Sequence, residues 1–338
     1  MLTSNPLHSC RVWHALLLLV GGLLLIPKGA QAGYIFQDIV NTGDTAFNQE
    51  LGINNTGTIA GYFGDGTVVP NNGYTVVAPF SQVSFTSENF PGSVQTQVTG
   101  INSAGNTVGF WIDGSGANHG FTDMGNTFVS VDDPLSTSVP IFTQLLGLND
   151  SGEAVGFYGN ASGNTNGFSY NTTLAAFTPV DPPNAMSSTA AALNNAGEIA
   201  GFLTSTINGD TYGYLDTNNV FQTFLFPGST FTQFFGINNE GLVVGDYQDS
   251  SGNTHGLVFN SITDAWQTVD DPFAVTGAGN GTTINGINDN GQIVGFYVNA
   301  NGSTIGLLGT ATPEPGSWVL AGLGVLLIGW RLKKARGD

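Results

Sequence analysis

The chain has 338 residues, of which 9 per cent are charged, with 6 Lys and Arg against 24 Asp and Glu and a net charge of −18 at pH 7. All six basic residues lie at the ends, so residues 33–312 hold 22 of the acids and only two groups able to become cationic, His119 and His255. A surface of that sign repels phosphate backbones and excludes nucleic acid as a partner, while the single cysteine, Cys10, excludes thiol catalysis and disulfides in everything after it.

In chain order, Arg11, the apolar run 15–26 and Ala30-Gln31-Ala32 form a charged n-region, an h-region and an A-x-A site. Residues 1–32 are expected to be a signal peptide cut at Ala30 and Ala32, because the run is too short to span a bilayer. Its removal leaves Gly33 first.

A phrase then recurs six times, beginning at Gly52, Gly100, Gly147, Ala192, Gly236 and Gly286, and written first as Gly52-Ile53-Asn54-Asn55-Thr56-Gly57-Thr58-Ile59-Ala60-Gly61. Each repeat contains four strand-like segments. In the third they are 142–148, 153–158, 166–170 and 176–180, with a turn at Asn149-Asp150-Ser151-Gly152 and a stop at Asp181-Pro182-Pro183. Four antiparallel strands in a repeat of about 40–50 residues predict a β-propeller blade.

Asn54, Asn102, Asn149, Asn194, Asn238 and Asn288 hold one place in all six copies, where an Asx side chain can bond the turn backbone. Gly61, Gly109, Gly156, Gly201, Gly245 and Gly295 recur in the second strand, as close backbone approach requires. Fourth strands are expected at 83–85, 127–131, 176–180, 220–225 and 265–269, and the sixth repeat has none. Residues 34–40 show the matching alternation. The fold expected for 33–310 is therefore an all-β, six-bladed propeller closed by its N-terminal strand beside the last blade.

Candidate chemistry inside the repeats is sparse. His119 and His255 occupy equivalent places three blades apart, so they cannot share a metal, and each is expected to pack beside Phe121 or Leu257. No Ser-His-Asp set and no G-x-S-x-G turn is present, and no catalytic residue is assigned. Asp132, Asp133, Asp270 and Asp271 end blades, while Asp113 and Asp249 sit in hairpins; all six are candidate weak calcium ligands. None matches the D-x-[DN]-x-[DN]-G loop, turn chemistry accounts for them, and no cofactor is expected.

The chain closes with Pro313-Glu314-Pro315, an apolar run over 318–330, and the basic group Arg331, Lys333, Lys334 and Arg336. As a helix that run would reach roughly 20 Å at about 1.5 Å per residue, short of a hydrocarbon core of about 30 Å. It suits a transient stop-transfer helix whose basic end stays cytoplasmic. Residues 311–338 resemble the PEP-CTERM sorting signal of Gram-negative bacteria that make extracellular polysaccharide. That resemblance implies processing by a membrane-embedded exosortase, with Pro313, Glu314 and Pro315 as recognised substrate residues.

The third-strand triplets, among them Asn72-Gly73-Tyr74, His119-Gly120-Phe121 and His255-Gly256-Leu257, resemble HAF-type extracellular repeats, although no copy is His-Ala-Phe. That family implies secreted repeat proteins without a shared catalytic activity. The expected function is an exported, non-enzymatic protein of the cell surface or extracellular matrix that interacts with extracellular polysaccharide or envelope components. Signal peptidase and exosortase would act on it during export, with transient anchoring in the inner membrane. The alternative is a secreted glycan hydrolase or lyase, which would need two carboxylates about 5–10 Å apart at the channel mouth with aromatic residues beside them.

Overall fold

Short runs of alternating apolar and polar residues, each ended by a turn rich in Asn and Gly, build six separate four-stranded antiparallel sheets. The computed structural model describes residues 33–312, and these form a six-bladed β-propeller. In the third blade the strands run Thr143–Leu148, Glu153–Gly159, Thr165–Asn171 and Ala176–Val180 from the axis outward. The expected signal segment with Ala30 and Ala32, the motif Pro313-Glu314-Pro315, the apolar run 318–330 and the basic tail lie outside the described residues. Among the described residues no helix is long and apolar enough to cross a membrane.

The apolar core is divided into six clusters, and each joins two neighbouring blades. Val108 and Val131 of the second blade, for example, pack against Leu145, Leu148 and Phe168 of the third. Burial between blades is thus the main cohesive term, at roughly 25 cal/mol per Å² of apolar surface. No Lys or Arg is present in 33–312 to add buried ion pairs.

The recurrent asparagines hold the axis. The Oδ1 of each accepts the amides two and four residues ahead, at 2.9–3.1 Å, closing the turn after the inner strand. The Nδ2 of each donates to the backbone carbonyl of the equivalent Asn in the next blade, at 2.9–3.3 Å. The sixth bond, from Asn288 to Asn54, returns to the first, so the ring is closed.

Glycine at two recurring positions lets the backbones meet. A Cβ on Gly156 would overlap the Gln144 carbonyl, and a Cβ on Gly109, Gly201 or Gly295 would overlap the corresponding carbonyl in its own blade. On the inner strands, Gly100 faces the Gly147 backbone, and Gly147 faces that of Ala192. Every inner strand also carries a register shift just before this second position, between Leu145 and Gly147 in the third blade.

The fourth strand of the first blade differs from the sequence expectation. It is Phe85–Ser87, and Gln82–Ser84 form a 3-10 turn instead. The Gln82 amide is tied to the Thr42 N–H and the Asn41 side chain, which draws this segment off the sheet. In the sixth sheet, Tyr34–Ile39 pairs antiparallel with Thr304–Ala311, with Tyr34 opposite Ala311 and Ile39 opposite Gly306. Ile39 is buried in the cluster between the sixth and first blades. Deletion of 34–39 removes that ladder and the buried Ile39, so the melting temperature should fall by roughly 5–10 °C; an unchanged value in thermal denaturation would show that the sixth blade is self-sufficient.

Candidate functional site

The inner strands enclose an axial channel with chemically different ends. At one end the residues following the six ring asparagines are Asn55, Ser103, Asp150, Asn195, Asn239 and Asp289, around a space of about 70 Å³. Five of the six steps between them are bonded backbone to side chain, from Ser103 to Asp150, then Asn195, Asn239, Asp289 and Asn55. At the sixth step the Ser103 side chain is shorter than Asn or Asp, and the pattern stops. Burial alone would raise the Asp150 and Asp289 carboxyls, but bonds from Ser103 and Asn195 to the first, and from Asn239 and Asn55 to the second, outweigh it and hold both below the usual range.

The opposite end is apolar. Phe157, Phe202, Phe235, Leu51 and Leu146 border a recess of about 190 Å³, with Thr99 and Asn285 among its polar margins. Leu51, Thr99, Leu146, Phe235 and Asn285 occupy the position of the register shift in their strands, which turns them toward the axis. The Oδ1 of Asn285 is buried without a partner. Among the described residues, no aromatic side chain lines the polar end and no carboxylate lines the apolar end.

The histidines are not packed merely beside Phe121 and Leu257. His119 stacks on Trp111, with ring centroids 4.6 Å apart, and Trp111 stacks in turn on Phe90. The Nδ1 of His119 meets Asp132 at 2.8 Å and its Nε2 faces the Oδ2 of Asp113 at 3.7 Å. The fifth blade repeats this: His255 stacks on Tyr247, its Nδ1 meets Asp270 at 2.7 Å, and its Nε2 faces Asp249 at 3.6 Å. Four of the six candidate calcium ligands are therefore histidine partners. Asp133 and Asp271 are buried apart from them, each accepting the amide two residues ahead, from Leu135 and Phe273. Among the described residues, no three His, Cys, Asp or Glu side chains converge as a metal set.

The sequence carries a signal for these pairs that is independent of the scaffold. Trp111-x-Asp113 and Tyr247-x-Asp249 each precede a histidine by the same spacing, and an Asp-Asp-Pro follows in both blades. Asp113 and Asp249 are held down at about 2, chiefly by the Ser115 hydroxyl on the first and the Asn253 amide on the second.

Six carboxylates among the described residues are displaced upward by burial, Asp133, Asp216 and Asp271 among them, and the other three stand out. Glu50 occupies a core position filled by Val98, Leu145 or Ile284 in other blades; it accepts a 2.6 Å bond from the Tyr74 hydroxyl, while its Oε2 has no partner. Asp246 and Glu88 are each raised to about 7 by burial, opposed in the first by the Thr283 hydroxyl and in the second by that of Thr107. None of the three lines the channel.

The model of the PEP-CTERM protein-sorting motif matches residues 311–334. Such a motif implies an exported protein processed by an exosortase. No curated protein matches the chain. Among solved structures, the TolB protein of Acinetobacter baumannii aligns at a TM-score of 0.47 and 9% identity, over 76% of this chain and 64% of that one. The fucose-specific lectin of Aleuria aurantia aligns at 0.44 and 11%, over 84% and 96%. A polysaccharide lyase described as an ulvan lyase aligns at 0.43 and 11%, over 78% of each chain. Enzymes and lectins thus appear together, and likeness at this level carries no argument about activity.

The raised carboxylates set a pH dependence. Glu50, Asp246 and Glu88 keep protons in the folded state that the unfolded chain releases above about pH 4, so their stabilising effect is complete below that; the effect of Asp246 and Glu88 is lost as pH rises through about 7, and burial shifts Glu50 in the same direction. The melting temperature should be several degrees higher at pH 5 than at pH 8, and Glu50→Gln should reduce the difference by keeping a neutral acceptor for Tyr74. A profile that is flat or rises from pH 5 to pH 8 would contradict this.

Proposed function

We propose that this protein is a non-enzymatic scaffold, delivered to the cell surface or the surrounding matrix, whose apolar channel end binds a sugar-containing polymer. The observation that carries the reading is the separation of carboxylates from aromatic residues at the two ends of the channel. Hydrolysis or elimination on a glycan requires an acid and a base beside the bound ring. Here Asp150 and Asp289 are committed to neighbouring amides and have lowered pKa values, which makes them poor proton donors. Aromatic faces instead offer apolar contact for a sugar ring, and the absence of Lys and Arg in 33–312 suits neutral polymers.

Export fits the same picture. The sorting motif, the preceding signal segment and the resemblance of the repeats to HAF-type extracellular repeats all support delivery beyond the inner membrane, with signal peptidase and exosortase as processing partners and a short-lived membrane anchor. Affinity electrophoresis against a panel of extracellular polysaccharides should retard the chain on at least one neutral polymer. Phe202→Ala combined with Phe235→Ala should weaken that retardation tenfold or more, at about 1.4 kcal/mol or above. Release of new reducing or unsaturated ends during the assay, or retardation indifferent to both substitutions, would overturn the proposal.

A further inference from the structure

We propose that a cavity between the sixth and first blades binds one neutral sugar residue, at a site separate from the channel. The cavity measures about 280 Å³, against about 190 Å³ for the recess at the channel end. Pockets for small molecules begin at about 300 Å³, so a single ring is the occupant that its size suits.

A substitution between blades creates the space. Three of the links from an outer strand to the next blade pass through an equivalent residue, whose amide is held by a side chain near the start of the next inner strand: Phe90 by Thr96, Phe226 by Thr232 and Asn41 by Asn48. Phe90 lies flat on Trp111, with centroids 4.4 Å apart, and Phe226 lies on Tyr247 at 3.6 Å. The first blade has Phe63 at the corresponding place in its second strand, but Asn41 brings no ring to lay over it. The Gln82 side chain, bonded to Asn41 and to the Thr42 N–H, walls the outer side.

The lining combines a rigid apolar wall with oriented amides. Tyr74 is pinned by its hydroxyl bond to Glu50, and Phe85 meets its ring edge-on at 4.9 Å. Asn72 lies opposite Phe63, and Ser87 lies opposite Tyr74, so alternation places all of them on one face. Nδ2 of Asn72 donates to the Pro70 carbonyl at 2.7 Å, and Oδ1 of Asn89 accepts the Gly73 N–H at 2.9 Å. Those bonds fix both amides and leave Oδ1 of Asn72 and Nδ2 of Asn89 meeting at 3.5 Å, the outer limit of a hydrogen bond, with the Ser87 hydroxyl 3.2 Å from the same Nδ2. An acceptor and a donor side by side match neighbouring sugar hydroxyls, each of which donates and accepts. The aromatic rings offer contact to the apolar face of a pyranose. Among the described residues, no charged side chain lines the cavity, so a sugar acid or a phosphate would lose water there without a cationic partner.

The scaffold tolerates changes at both ends of this site. The residues corresponding to Asn72 include Tyr212, His255 and Ile305, and the place of Asn41 holds Phe90 and Phe226 in other gaps. Saturation-transfer difference NMR on the full chain, with glucose, galactose, mannose and N-acetylglucosamine as probes, should show at least one binding in the millimolar range expected of so small a ligand. Asn41→Phe and Asn72→Ile should each weaken that binding at least tenfold while the melting temperature reports an intact fold, and glucuronic acid should give no signal. The assignment would be overturned by silence from every neutral probe, or by undiminished binding in either folded variant. Loss of the signal in Phe202→Ala combined with Phe235→Ala would place the sugar in the channel and overturn it equally.

Discussion

The closed ring of six asparagine side chains is the constraint on which the rest of this propeller depends. Each amide acts twice, its oxygen closing the turn of its own blade and its nitrogen bonding the carbonyl of the next. The bonds are buried, so leaving one unmade strands a donor or a carbonyl away from water at about 1–3 kcal/mol. The geometry also fixes how near the inner strands must come, and the glycines follow from that nearness. Gly100 and Gly147 sit where adjacent inner backbones touch, and Gly156 sits where a side chain would strike its own inner strand.

Once the ring is closed, the two channel ends have different fates. The end carrying the ring is occupied by further amide and carboxylate bonds through Asp150, Asn195, Asn239 and Asp289. The other end is left to the residues at the register shifts and to Phe157 and Phe202, which no turn chemistry constrains. Ring bonding and open apolar surface are thus separated along a single axis. The same division appears at the rim, where the turn uses one oxygen of Asp113 and leaves the other facing His119.

Strands and turns were legible because alternation and Asx-Gly punctuation are local: Ala176–Val180 is the segment the pattern marks, and the turn role of the six asparagines follows from their position. Their second role was hidden, because a bond to a residue 44–50 positions away, or 234 where the ring closes, leaves no local trace. The fourth strand of the first blade shifted for a similar reason, since Gln82 answers to Thr42 and not to its neighbours. At the apolar end, Leu51, Thr99, Leu146, Ala191, Phe235 and Asn285 differ so much in type that nothing in the sequence marks them as facing one channel. The histidine pairs stood between these cases: their spacing was visible twice, but the strand that supplies Asp132 and Asp270 had to be folded beside them first.

Asn102→Asp separates the two roles of the ring most directly, because a carboxylate keeps the acceptor for the Ala104 and Asn106 amides and removes only the donor to Asn149. If the ring holds the blades together, thermal denaturation should show a loss of about 4–8 °C, corresponding to roughly 2–4 kcal/mol for a carboxylate turned on a buried carbonyl. A melting temperature within about 1 °C of the unaltered chain would mean that each asparagine serves its own turn alone, and the account of the axis would fail.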